Sequence, residues 1–170
     1  ESALRFIAEA SAALASSLDY RATIASVARL AVPRVADWCA VDLLDDTGAI
    51  ERVTAAYAEA PSGERAARFT RRYPRDASVG QGVSKVIRTG RAALIAEVGD
   101  EALASIAVDG EHLEMFRALG LRSAMTVPIP VPGRTIGVMT LLSAESRRTF
   151  DASDLALAED LAHRTAIAVD

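Results

Sequence analysis

The sequence holds few residues that could act as a nucleophile or a general base. It has one cysteine, Cys39, and two histidines, His112 and His163. Nucleophilic hydrolysis needs a serine or cysteine beside a histidine base and an aligned donor. Ser123 and Ser143 do not stand in the strand–turn–helix context that exposes a nucleophilic serine. His163 falls within a predicted helix, and we interpret it as a surface or interface residue. The residues therefore predict no hydrolase and no catalytic set.

Potential metal ligands are grouped only around His112. Glu111, His112 and Glu114 are close in sequence, but a helix would point them around its circumference. Asp109 and His112 could share one face, at a spacing of three residues. Because protein metal sites usually use three or four ligands, we expect no metal here and interpret this segment as a solvated helix start.

The glycine-rich passage over 79–90, VGQGVSKVIRTG, does not match a phosphate-binding motif. Gly80 and Gly82 allow a sharp turn before a helix. However, no Gly-Lys-Ser/Thr follows, and no strand leads into three spaced glycines. We therefore expect a short helix rather than a phosphate site.

Chain length and net charge limit the classes of protein to which this sequence can belong. The 170 residues predict one domain over 1–170, and the net charge of −4 argues against a nucleic-acid partner. The nearest approach to a basic patch comprises Arg65, Arg68, Arg71, Arg72 and Arg75. Acidic residues interleave with these arginines, so we interpret them as a solvated helix face.

The cellular setting follows from what the composition lacks. A single cysteine allows no internal disulfide, which suits a reducing cytosol. No apolar run approaches the roughly 20 residues of a membrane span, and the first nine residues lack the pattern of a signal peptide. We expect a cytoplasmic protein without membrane contact. Because the chain begins and ends within helical patterns, we also expect it to be a piece of a longer protein.

Hydrophobic periodicity predicts alternating helices and strands. The predicted helices cover 1–18, 20–32, 63–73, 80–90, parts of 100–120, and 151–170, and the predicted strands cover 36–44, 50–58, 92–96, 123–131 and 135–143. Tight turns over 45–48 and 132–133 join two pairs of strands into hairpins. Asp151 or Ser153 should cap the last helix.

The predicted fold class is α/β (α+β), built on a central and mainly antiparallel sheet of five to six strands. The terminal helices would cover one face, and a helical insert over 60–120 would cover the other, with a pocket beneath it. Val138, Met139, Leu141 and Leu142 form a nearly continuous apolar run, so the strand over 135–143 should be central. Pro128 and Pro130 should make its neighbour partly irregular.

Five segments in this order resemble a known family, the GAF domains. The first half contributes ADWCAVDLLDDTG over 36–48 and the glycine-flanked helix over 79–90. The second half contributes LRSAMTVPI over 121–129 and PGRTIGVMTLLS over 132–143, followed by FDASDLALAEDLA over 150–162. The resemblance covers essentially the whole chain. It implies a GAF/PAS-like fold and a regulatory sensor of signal transduction, such as a two-component system.

The resemblance also suggests ligands against which the residues can be compared. Members that bind cyclic nucleotides resemble one another in an Asn-Lys pair, a later Phe and an Asp-Glu pair. Here Ser143-Ala144 replaces the first pair and Leu155 replaces the Glu, while Phe150 and Asp154 match. Some members bind haem through a histidine in the insert, where His112 lies. With half a signature and no secure match to a haem ligand, we expect neither cofactor and leave the small-molecule ligand open.

Two further chemistries of the family depend on cysteine. Most bilin-binding members need a cysteine near the pocket rim, whereas Cys39 falls in the first strand beside Val41 and Leu43 and reads as a core residue. Methionine-sulfoxide reductase members use several cysteines, and this chain has one. We therefore expect no enzyme activity from the domain itself, with a small stand-alone enzyme of GAF fold as the alternative.

The candidate ligand pocket lies between the sheet and the insert. Its candidate residues are Trp38, Asp42, Thr126, Thr140 and His112. Asp42 shares one strand face with Trp38 and stands among apolar neighbours. Asp42 either faces the pocket and pairs with a donor, or lies at a strand end and is exposed to solvent. We favour a solvent-exposed or simply hydrogen-bonded carboxylate. The two threonines could donate to a ligand or could simply be residues of high β propensity.

The terminal helices are the candidate output surface. Both carry apolar stripes, and we expect Leu4, Ile7, Leu14, Leu161 and Thr165 to contribute to a homodimer. The last helix reaches the end of the chain without a stop signal. A covalently attached effector, such as a histidine kinase, phosphatase or cyclase, would follow residue 170.

Overall fold

The computed structural model describes residues 3–9, 20–58, 68, 80–106, 109–144 and 146–169. Six helical segments lie in this part of the chain: α1 (residues 3–9), α2 (Tyr20–Ala31), α3 (Gly80–Thr89), α4 (Asp100–Ile106), α5 (Gly110–Leu119) and α6 (Ala152–Val169). The five strands are β1 (Trp38–Leu44), β2 (Ile50–Tyr57), β3 (Ala93–Ile95), β4 (Ser123–Val131) and β5 (Arg134–Ser143). The helix predicted over 63–73 and most of its arginine cluster lie outside the described residues.

The strands form one sheet in the order β2-β1-β5-β4-β3, and every pair is antiparallel. This confirms the predicted α+β fold and the hairpins β1–β2 and β4–β5. It also places β5 in the centre, as its apolar run predicts. The β4–β5 register shifts between Ile129 and Pro130, where proline cannot donate a ladder hydrogen bond. None of the helices in the described ranges is long and apolar enough to span a bilayer.

The side of the sheet that faces α2 and α6, here called the helix side, carries the main core. Alternate residues of the three inner strands lie on it, as the two-residue period of a strand requires. The core includes Cys39, Val41, Met125, Val127, Ile129, Met139 and Leu141 from the sheet and Phe6, Ile24, Val27, Leu161 and Ala162 from the helices. Each fully buried aliphatic side chain contributes about 1.5–3 kcal/mol relative to exposure.

The opposite face, here called the insert side, carries the other alternate residues. Trp38 and Tyr57 lie at one end of it and pack in a second apolar cluster with Leu103 and Leu119. Leu103 belongs to α4 and Leu119 to α5, so these helices cover that end of the sheet. Helices therefore pack against both faces of the sheet.

Aspartate side chains cap the starts of two helices, and a glycine ends one of them. The Asp109 carboxylate accepts from the His112 backbone N–H and caps α5, and Gly120 ends that helix in the left-handed conformation with φ of 66°. At α6 the Asp151 carboxylate accepts from the backbone N–H groups of Ser153 and Asp154. Asp154 accepts in return from the Asp151 N–H, which completes a reciprocal cap. Of the two residues predicted to cap this helix, Asp151 and Ser153, the cap is therefore Asp151.

Gly137 marks the closest backbone approach in the centre of the sheet. It pairs with Leu43 across β5 and β1. A Cβ at this position would overlap the carbonyl oxygen of Asp42 and would approach Leu43 Cδ2 to 2.7 Å. Because the first obstacle is backbone, the strands would have to separate to admit a side chain.

We expect Gly137→Ala to lower the free energy of unfolding by about 2–3 kcal/mol, since overpacking in a close-packed interior forces the backbone to shift. Urea unfolding measures this change. Gly110→Ala is the matched control because an added Cβ at the start of α5 meets no atom within 4 Å. Equal effects of the two substitutions would show that the β1–β5 contact is not tight.

Candidate functional site

The register of the sheet assembles the candidate site on the insert side. The middle row across the strands consists of Ala55, Ala40, Thr140, Thr126 and Ala93, which pair in that order. All five side chains are small, and this row is here called the trough. Thr126 and Thr140 stand opposite each other at its centre. The structure therefore brings together the two threonines that the sequence selected.

Larger residues border the trough on both sides. Tyr57, Trp38 and Leu142 form the row on one side, and Arg52, Asp42 and Val138 form the row on the other. The Trp38 and Tyr57 rings lie 5.5 Å apart between centroids. The indole N–H of Trp38 is buried and has no hydrogen-bond partner among the described residues. The trough thus lies between an indole donor and an ion pair.

The Asp42 carboxylate is hydrogen-bonded and is not exposed to solvent. Its side chain is only 2% exposed. The Arg52 Nε–H donates to Asp42 Oδ1 at 2.6 Å, and Nη2 lies 3.5 Å from Oδ2. Asp42 therefore lies on the insert side and is paired with a donor, which excludes only the solvent-exposed alternative.

Sequence reasoning did not identify Arg52 as the partner of Asp42. In a simple hairpin pairing continued from Val41 and Thr54, Asp42 would face Val53. The register shifts between Val41 and Asp42, so Asp42 pairs with Arg52 instead. An extra residue in one strand moves the following side chains relative to the partner strand. A basic residue ten positions after a strand carboxylate was the available signal, but the register decided the contact.

His112 is buried in α5 rather than solvated. Its side chain is 0% exposed, which corrects the expected solvent-facing helix start. Burial lowers the pKa of His112 below its ordinary value, while the nearby Asp109 charge partly opposes this shift. No group of three or more metal-ligating side chains is present within the described ranges.

Cys39 lies on the opposite side of the sheet from the trough. Its side chain is buried in the helix-side core with Val41 and Met139. Burial in apolar surroundings raises the pKa of the thiol to about 12. At neutral pH the group is therefore a thiol, not a nucleophilic thiolate.

The matching half of the cyclic-nucleotide signature has structural roles here. Phe150 is buried in the helix-side core together with residues of α2 and α6. Asp154 belongs to the reciprocal cap of α6. Neither residue lies on the insert side of the sheet, so their presence is explained by packing and capping.

The residues selected for helix pairing divide into buried and exposed groups. Leu161 and Thr165 are buried in the core of the domain, and the Thr165 hydroxyl donates to the Leu161 carbonyl. Their burial is a correction, because these side chains do not reach the surface where a second copy would bind. Leu4 is 76% exposed and Ile167 is 71% exposed, and Ile7 is half-buried. Leu14 lies outside the described residues.

The sequence matches the family model for the GAF domain over residues 19–169. The chain belongs to the GAF domain family. The match spans both hairpins, the insert and α6, and it agrees with the fold described above. Among curated proteins, no sequence matches this GAF domain.

Solved structures of similar fold come from proteins of different function. A methyl-accepting chemotaxis protein region is 18% identical, with a TM-score of 0.67 and 94% of each chain covered. A GAF domain/HD domain protein from Geobacter sulfurreducens is 18% identical, with a TM-score of 0.64, covering 92% of this chain and 95% of the other. Free methionine-R-sulfoxide reductase from Neisseria meningitidis is 16% identical, with a TM-score of 0.66, covering 99% and 90%. At these identities the likeness shows the fold.

We expect Arg52→Met to destabilise the domain by about 3 kcal/mol, because it leaves the buried Asp42 carboxylate without its partner. This value is at the low end for a buried pair because the Arg52 side chain is 25% exposed. The double variant Asp42→Asn/Arg52→Met should recover part of the loss. Urea unfolding of the two single variants and the double variant measures this coupling.

Arg21→Met is the matched control for the loss of an arginine–carboxylate pair. Arg21 pairs with Glu51 at 2.8 Å, but both side chains are about half exposed. Exposed pairs contribute little, so stability should stay nearly unchanged. An Arg52→Met variant as stable as Arg21→Met would contradict the role of the buried pair.

His112 predicts a pH dependence of stability. Its pKa is lowered in the folded state. The contribution of His112 to the free energy of unfolding is therefore complete above its unfolded pKa of about 6.5, and it decreases as the pH falls below that value. His112→Gln should therefore make the loss of stability between pH 7.5 and 5 shallower. Urea unfolding at each pH tests this, with His163→Gln on the exposed face of α6 as the control for removing a histidine. An unchanged slope in His112→Gln would refute the prediction.

Proposed function

We propose that this GAF domain is a regulatory sensor. A small molecule would bind on the insert side of the sheet, and the terminal helices would carry the signal to an attached effector domain. The domain itself would perform no chemistry. The observation that supports this proposal most directly is the opposed pair Thr126 and Thr140 in a row of small side chains, on the insert side of a sheet whose other side is an apolar core.

The groups around the trough suit the recognition of a small polar molecule. Thr126 and Thr140 provide hydroxyl groups at its centre. The Trp38 indole N–H has no partner within the described part of the chain, and buried indole donors normally find an acceptor. Arg52 uses its Nε and Nη2 on Asp42, which leaves Nη1 to donate to a ligand. A few polar groups in a mostly apolar pocket are typical of ligand sites.

The sheet itself is the proposed route of the signal. Thr140 on the insert side is followed by Leu141 on the helix side, and Asp42 is followed by Leu43. Leu141 and Leu43 pack in the core with α2 and α6. Because protein interiors are close-packed, a displacement of β1 or β5 by a ligand would shift the helices on the other face.

We propose that α1 and α6 pair with the same helices of a second copy. Leu4 and Ile167 are large apolar side chains that the domain leaves exposed. The effector, such as a histidine kinase, phosphatase or cyclase in the cytoplasm, would receive the signal through α6.

Catalysis by the domain is the weaker alternative. Cys39 is buried on the helix side with its pKa raised to about 12. His112 belongs to α5 in the insert, so the sheet separates the only thiol from it. A thiol relay or a Cys–His pair would need these groups to be in contact.

A thermal-shift screen tests the proposed ligand site. Cyclic nucleotides, hemin and small polar metabolites would be added to the domain, and a ligand at 100 times its dissociation constant should add about 2.7 kcal/mol of stability. Thr140→Val should weaken the ligand about fivefold, since it removes a hydrogen bond worth about 1 kcal/mol. Thr23→Val is the matched control because Thr23 is buried in α2 on the other side of the sheet.

Three outcomes would count against the proposed function. They are a screen without any stabilising compound, a ligand that Thr23→Val weakens and Thr140→Val does not, and turnover of a bound compound. Sedimentation of the same samples tests the pairing of the helices. We expect a dimer at micromolar concentration that Ile167→Glu dissociates, and a strict monomer would refute this part.

A further inference from the structure

A second cleft lies outside the trough, where α1 meets the segments that precede β1 and α6. Its volume is about 530 Å³, which lies in the range of small-molecule sites. Arg5 from α1, Arg34 from the segment after α2, and Arg148 from the segment before α6 all line it. Three arginines from separate parts of the chain thus line one cavity.

The charges of this arginine cleft are only partly neutralised. Arg34 Nη1 pairs with Glu9 Oε2 at 2.7 Å. Arg148 is half-buried and donates through Nη1 to the Arg34 carbonyl, which holds it in place without neutralising it. Arg5 has no ion pair within the described residues. Arginines therefore outnumber carboxylates in the lining of this cleft, although the net charge of the chain is −4.

One carboxylate, that of Asp154, also lines the cleft. Burial raises the pKa of Asp154, while the charge of Arg148 acts in the opposite direction. The lining thus holds three arginines and one carboxylate, and Glu9 pairs with one of these arginines from outside the lining. Phe6, Val35 and Leu157 supply apolar walls. The cleft thus offers guanidinium donors beside a surface for an apolar body.

We propose that the arginine cleft binds a phosphate-bearing anion. Guanidinium groups match phosphate oxygens with paired hydrogen bonds, and Arg5 and Arg148 both retain donors for this purpose. The arginine cleft lies on the helix side of the domain and is separate from the trough. A phosphate held by Arg5 and Arg148 would tie α1 to the start of α6, and would thereby couple binding to the two terminal helices.

Titration with sodium phosphate, compared with sodium chloride at equal ionic strength, tests the proposal. We expect a saturable rise in melting temperature with phosphate only. Arg5→Met should weaken phosphate binding about tenfold, since it removes charge-assisted hydrogen bonds to the anion. Because Arg5 is exposed and has no ion pair in the described ranges, this variant should fold normally.

Two more variants make the test specific. Asp154→Asn should tighten phosphate binding because it removes the repulsive carboxylate while keeping an oxygen that can cap α6. Arg134→Met should leave the affinity unchanged, since Arg134 lines a different and smaller cleft together with Arg88. No saturable effect of phosphate, weaker binding to Asp154→Asn, or a loss in Arg134→Met but not in Arg5→Met would each overturn the proposal.

The source of the phosphate is distinguished by two further probes. Glycerol phosphate tests a soluble organic phosphate, and vesicles containing phosphatidic acid test a lipid headgroup. Binding of glycerol phosphate that Arg5→Met weakens assigns the cleft to a soluble ligand. Cosedimentation with the vesicles that Arg5→Met abolishes, without glycerol phosphate binding, assigns it to a lipid headgroup.

Discussion

The pairing of β1 with β5 is the contact on which the rest of this domain depends. These strands are about a hundred residues apart in sequence and lie side by side in the middle of the sheet. Gly137 allows them to approach closely, because any side chain there would meet the backbone at Asp42. The pair divides the molecule into two sides. One side is the apolar core under α2 and α6, and the other is the face that the insert covers.

This division explains how one small domain combines rigidity with a polar surface. On the helix side, residues such as Val41, Met139 and Leu141 are fully buried and pack against helices from both ends of the chain. On the insert side, the same strands present small residues, two threonine hydroxyls and the Asp42–Arg52 pair. Because successive side chains of a strand point to opposite faces, a displacement of the strand on one face also moves the side chains packed on the other.

The two candidate binding regions therefore relate to the terminal helices in different ways. A ligand in the trough would reach them through the sheet. An anion in the arginine cleft would contact α1 and the start of α6 without involving the sheet. Both regions would act on the helices that also expose Leu4 and Ile167. In this arrangement the helices are the common element on which separate signals could converge.

The sequence by itself determined the elements, the fold class and the family. Apolar periodicity and turn residues placed the strands within about two residues of their observed ends, and the run Val138–Leu142 marked β5 as the central strand. These features are local, because they depend on residues within one turn or one strand. They also selected Thr126 and Thr140, which the strand register then set opposite each other.

Tertiary structure decided the contacts that join distant residues. A register shift in the β1–β2 hairpin set Arg52 against Asp42, and packing buried His112, Leu161 and Thr165, where sequence patterns suggested exposure. An amphipathic stripe indicates which helix face is apolar, but not whether that face meets the domain's own sheet or another chain. The convergence of Arg5, Arg34 and Arg148 likewise depends on how three separate segments pack. Periodicity describes one segment at a time, whereas burial and pairing depend on which segments meet.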